Sequence, residues 1–170
     1  MWSPYLINKA ALASLVCGLL VAPTSGCLPS ISGDEVNVSE DSTSLEGSFQ
    51  RLKDSHGSST LGSVISESGI PVGDWERMYT FYSPVDGDDI DSALGTDTNW
   101  SGLPGDSDSA VQVFVGGGDV RYAFIDNHPR YGVGRNRYAT PESLVRAVLD
   151  EQQTPLGKTT AWVIDIEEFG

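Results

Sequence analysis

Residues 110–125 read AVQVFVGGGDVRYAFI, two β-branched and aromatic runs on either side of a glycine-rich turn. Six apolar-rich residues, a Gly-Gly-Gly-Asp break and six more predict a β-hairpin, because glycine supplies the positive φ angles that a tight turn between antiparallel strands requires. This pattern commits the chain to an antiparallel sheet. The neighbouring segments then have to cover its faces. The second half of Val72 to Tyr82 (VGDWERMYTFY) reads as an aromatic strand, and Thr159 to Ile166 (TTAWVIDI) as a β-branched one. Ile90 and Leu94, four apart and followed by Gly95, predict a short helix over 88–94 with glycine at its C-terminal cap. Leu61, Val64 and Ile65 predict another over 60–67. Thr140-Pro141-Glu142-Ser143 has a helix-start signature, and Leu144, Val145, Val148 and Leu149 would supply that helix's buried face. The resulting order of helix, strand, helix, hairpin, helix, strand predicts an α+β domain over 60–170. It would hold a small antiparallel sheet of about four strands packed against two or three short helices.

The residues before that domain have a different composition. Lys9 is followed by an uninterrupted small and apolar run, Ala10 to Ala22, and by Pro23, Thr24, Ser25 and Gly26. Thirteen helical residues span about 20 Å, short of the ~30 Å hydrocarbon core of a bilayer. A basic start, an apolar centre and a small-residue exit are the parts of an export signal over 1–26. From Cys27 to residue 59 Ser, Gly, Asp and Glu dominate, and so polar a stretch reads as a disordered tether. Leu45, Phe49 and Leu52 keep helical spacing within it.

Thr24-Ser25-Gly26-Cys27 resembles the lipobox of bacterial lipoproteins, with Thr24 standing where that family prefers an aliphatic residue. The resemblance implies that Cys27 becomes the acylated first residue of a protein held at the cell membrane on its extracytoplasmic side. A second resemblance covers the domain. The run D-W-E-R-M-Y-x-F-Y-S-P from Asp74, then I-x-x-x-L-G from Ile90 and then Trp100, looks like a group of small bacterial exported proteins with no established activity. It implies a fold and no catalytic residue.

Charge limits the partners. The chain holds 24 acidic and 10 basic side chains, for a net charge of -14, and so acidic a surface is repelled by a phosphate backbone; nucleic acid is excluded. Two Cys and two His are too few for a zinc finger or an iron–sulfur cluster, and no cofactor or metal site is expected. Asp86, Asp88, Asp89 and Asp91 superficially suggest calcium, but Gly87 falls at the second position of the loop and Asp97 at the twelfth, where that template requires Glu. Asp97, Asn99, Asp106 and Asp108 form a second oxygen-rich loop. His56 lies among serines in the tether with nothing to orient it.

The one concentration of positive charge is Arg121, Arg130, Arg135 and Arg137, with Tyr122, Tyr131 and Tyr138 interleaved. Arginine forks with tyrosine form the composition of protein-binding hot spots, so these arginines and Tyr131 are a candidate patch for an anionic partner. The bland alternative is that they pair with acids of their own domain. The function expected from these features is non-catalytic: a lipid-anchored protein acting by contact with a protein or another envelope component at the cell surface. Two alternatives stay open, a cell-surface hydrolase using His128 with Asp126 or an acidic metal loop, and an inhibitor of an exported enzyme.

Overall fold

A computed structural model describes residues 35–40, 43–105, 108–127, 131–154 and 157–170. At its centre lies a three-stranded antiparallel sheet of β3 (Arg77–Tyr82), β5 (Ala110–Gly116) and β6 (Asp119–Asp126), in the order β3-β5-β6. The hairpin expected at 110–125 is β5–β6, closed by Gly117 and Gly118 at φ 63° and 90°. Every residue of β5 is buried, as required of a middle strand covered on both faces.

Strand alternation gives each face its own core. Met78, Phe114 and Phe124 face one way, packing with Leu45, Phe49, Leu61, Ile65, Val133 and Val145. Val111, Val113 and Ala123 face the other way, with Val38, Tyr79, Phe81 and Trp100. The first face is covered by α1 (Thr43–Asp54), α2 (Leu61–Ser68) and a second antiparallel sheet of β2 (Ser58–Thr60), β7 (Leu144–Thr154) and β8 (Gly157–Ile166). The second carries α3 (Gly87–Leu94) and a parallel pair, β1 (Glu35–Asn37) with β4 (Asn99–Ser101).

Both short helices expected from the sequence are present and capped. Thr60 accepts a hydrogen bond from the Ser63 N–H at the start of α2, and Gly69 and Gly95 end α2 and α3 at φ 74° and 72°.

Three expectations are corrected. The segment 140–149 is not a helix: Thr140 and Ser143 close a turn on each other, and β7 begins at Leu144. Val145 is buried while Leu144 and Arg146 are exposed, a period of two, and β7 pairs with β8 from Val145↔Ile166 to Thr154↔Gly157. The expected single sheet is therefore two three-stranded sheets and a parallel pair. The tether expected over 27–59 is ordered structure across 35–40 and 43–59, because a few large side chains carry the packing: Val38, Leu45 and Phe49 are buried, and Ser39 bonds through its backbone to Ala123 and Ile125 of β6. His56 belongs to this ordered part, its ring stacked on Trp162 at 3.9 Å. Residues 1–34, with Cys27 and the expected export signal, lie outside the described residues.

Among the described residues no helix is long and apolar enough to cross a membrane.

Candidate functional site: an arginine and tyrosine groove beside a strand edge

The most feature-rich concavity is a groove of about 510 Å³ along the outer edge of β3. It is lined by Tyr79, Phe81 and Tyr82 of β3, Asp89 and Ala93 of α3, and Arg135, Arg137 and Tyr138 of the loop before Ala139. Tyr79 stacks with Phe81 at 6.2 Å and lies 5.8 Å from the ring of Tyr138, which also meets Phe169 at 6.0 Å. The row is aromatic because residues two apart on a strand share a face.

Arg77 opens onto the same cluster. Its guanidinium donates to the Tyr79 hydroxyl at 3.2 Å and lies 5.5 Å from the centre of the Tyr138 ring. The Tyr79 hydroxyl first, and the charges around it second, hold Arg77 above its ordinary value, so it stays cationic. The Tyr82 ring is 43 % exposed, but its hydroxyl sits against Gly132; burial first, and then Glu168 and Asp126, push that phenol above its usual range. Tyr82 is accordingly neutral at physiological pH.

Of the proposed patch, Arg135 and Arg137 come together in this groove. Arg121 does not: it folds back over the hairpin turn, its guanidinium against Gly116 and Gly117. Tyr131 is corrected from surface to core. It is 7 % exposed, stacks on Phe49 at 4.8 Å, and has its hydroxyl within reach of Gln50 and Lys53. Arg130 and His128 lie outside the described residues. Ion pairs among the described residues join Arg146 to Asp165 and Lys158 to Glu151 on the β7–β8 hairpin, while at the groove the Glu76 charge acts on Arg77 and Arg137 bonds the Gly170 oxygen at 3.0 Å. Arg77, Tyr79, Phe81 and Tyr82 are site residues that the sequence reading used only as strand formers. Their signal was the alternation itself, which does not reveal that β3 is an edge.

The acidic residues of the first calcium-like loop serve local structure. Asp86 caps α3 by accepting from the Asp89 N–H at 2.9 Å. Asp91 accepts from the Thr96 hydroxyl at 2.7 Å, the Thr98 N–H at 3.0 Å and the Trp100 ring N–H at 3.0 Å, tying α3 to β4. Among the described residues no three His, Cys, Asp or Glu side chains converge on one point. Asp106 of the second loop lies outside them.

Burial raises the Asp91 carboxyl, but the bonds from Thr96, Trp100 and Thr98 together outweigh it and hold the carboxyl below its ordinary value. A depressed folded-state value contributes stability above the unfolded-state value of about 4, and loses it as pH falls through the lower one. Asp91→Asn is expected to cost about 1–2 kcal/mol at pH 7, discounted for the site's access to solvent. The gap to wild type should close in acid. Urea unfolding at pH 7 and pH 3 checks this, and a gap that widens at pH 3 refutes the assignment.

Comparison of the chain with protein-family models, curated proteins and solved structures gives no match.

Proposed function

We propose that the protein is a non-catalytic exported lipoprotein that works by contact with another protein or an envelope component at the membrane surface, and that the groove beside β3 is the contact surface. The observation that carries this reading is a groove lined by Arg135 and Arg137 with Tyr79, Phe81 and Tyr138, beside Arg77, in a chain whose net charge is -14. Arginine and tyrosine bind by planar hydrogen bonding and ring contact at little cost in side-chain entropy, the chemistry of interface anchors. The anchor rests on the lipobox-like Thr24-Ser25-Gly26-Cys27. A diacylglycerol thioether there contributes about 0.8 kcal/mol per buried methylene and keeps the groove near the membrane.

The test uses a photo-cross-linking amino acid in place of Tyr82, in the host's membrane fraction. Wild-type Cys27 is expected to give a lipid-sized mass increase, detergent-phase recovery and a discrete cross-linked adduct. Cys27→Ser should lose the first two. An unmodified, water-soluble wild-type protein sinks the anchor, and an absence of adducts from Tyr82 sinks the groove as a contact surface.

A further inference from the structure

We propose that the groove takes an extended acidic segment of a partner protein by adding it as a further strand on the outer edge of β3; this rests on the contact reading above. Hydrogen-bond directions along β3 carry the argument. In an antiparallel strand the backbone groups of successive residues point alternately to the two sides. The Ser83 N–H, just past the strand, bonds Ser109 on the β5 side, whereas Met78 exchanges both its backbone bonds with Ala139 on the outer side. Thr80 and Tyr82 are in phase with Met78, so their N–H and C=O groups face outward toward the groove, where among the described residues the central sheet has no further strand.

The Thr80 side chain is already committed, donating to Gln112 Oε1 at 2.8 Å and accepting from the Val133 N–H at 2.9 Å. What Thr80, only 5 % exposed, has left to offer the groove is therefore its main chain. Beyond Met78 the register of β3 on β5 runs unbroken to Tyr82, and no proline interrupts it. Such an edge is a template for another strand unless something covers it. The Met78–Ala139 bridge shows the same edge accepting an antiparallel neighbour one step earlier.

Charge selects the occupant. Arg135 and Arg137 line the groove with that edge, Arg77 lies at the start of β3 with the Glu76 charge acting on it, and Asp89 is the one acidic side chain among the lining residues. Arg137 gives one bond to the Gly170 main-chain oxygen at 3.0 Å, and a guanidinium has five N–H donors. An incoming strand would place alternate side chains toward the arginine wall and its others along Tyr79, Phe81 and Tyr138. Carboxylates at the first set and apolar or aromatic groups at the second complete both. A basic strand would meet the guanidinium groups of Arg135 and Arg137.

The experiment titrates the protein purified from its host with three labelled, N-acetylated peptides. One alternates glutamate with valine and tyrosine, one is the same peptide N-methylated on the amides of one edge, and one has lysine for glutamate. The acidic peptide is expected to bind and to shift the backbone amide resonances of Thr80 and Tyr82. Arg135→Gln with Arg137→Gln should weaken it about tenfold or more, since each is a charge-assisted contact. N-methylation on the paired edge should weaken it at least as much. Equal binding of the N-methylated and parent peptides overturns strand addition, equal binding of the lysine peptide overturns the charge selection, and no binding of the acidic peptide overturns both. Any of these results with adducts still forming from Tyr82 leaves the contact reading standing, so the two failures are distinguishable.

Discussion

Phe114→Ala is expected to destabilise the domain by about 3–5 kcal/mol, the range for truncating a buried aromatic ring. Phe114 is fully buried in the middle strand of the central sheet. It meets the Trp75 ring edge-on at 5.2 Å and lies 6.3 Å from Phe124 on the neighbouring strand. Met78 sits directly opposite on β3. Met78 and Phe124 are held in sheet register on the two strands flanking β5, so they cannot collapse inward to fill the space without breaking ladder bonds. The cost should fall at the upper part of that range for this reason. Small domains are stable by about 5–15 kcal/mol, so the loss is a large fraction of the total. Urea unfolding should show a lower midpoint with an unchanged slope. Leu149→Ala is the control: this side chain is 59 % exposed on β7, and its truncation should change stability by no more than about 0.5 kcal/mol. A Phe114→Ala effect as small as the control would refute the packing of the central sheet.

The contrast between those two residues also marks what was legible in the sequence. Phe114 sits in a run whose turn is written beside it, and a hairpin needs only local information. Leu149 sits in a run with apolar residues at 144, 145, 148 and 149, a spacing that satisfies one face of a helix and also a strand with mixed faces. The pairing with β8 that decides between them depends on partners that no local pattern identifies. The ordered part of the supposed tether was legible only as a spacing, for a related reason. In 43–54 Leu45 and Phe49 anchor a helix whose other positions are mostly polar, Ser48 being buried with them, so helical spacing is visible while average composition reads as tether. At the site, Arg135 and Arg137 were legible as a local concentration of charge. The groove they line was not, because it exists only where β3 becomes an edge, and edge status is a property of the sheet.

Gln112→Leu should reach from the core to that groove. Gln112 is 1 % exposed, and its amide works as a clamp: Oε1 accepts from the Thr80 hydroxyl at 2.8 Å and Nε2 donates to the Tyr131 carbonyl at 3.1 Å. Thr80 in turn accepts from the Val133 N–H at 2.9 Å. Three stretches of chain, β3, β5 and the loop from Tyr131 to Val133, are thus joined through two buried side chains. Leucine has similar volume and no polar atoms, so the substitution leaves the Thr80 hydroxyl proton without its acceptor and the Tyr131 carbonyl without the Gln112 donor inside the core. Each such loss costs about 1–3 kcal/mol, giving an expected loss of about 2–6 kcal/mol. The loop packs closely on Thr80, since a Cβ added at Gly132 would fall 2.8 Å from the Thr80 hydroxyl oxygen. Loss of the clamp loosens this loop, which leads directly into Arg135, Arg137 and Tyr138. Hydrogen exchange reads this out locally. The Val133 amide should exchange faster in Gln112→Leu by more than the drop in global stability explains, and acidic-peptide affinity should fall with it. Phe114→Ala, which leaves the clamp intact, should accelerate Val133 only in proportion to its global loss. If both variants move Val133 in proportion to global stability alone, Gln112 is core filling and does not hold the groove's arginine wall in place.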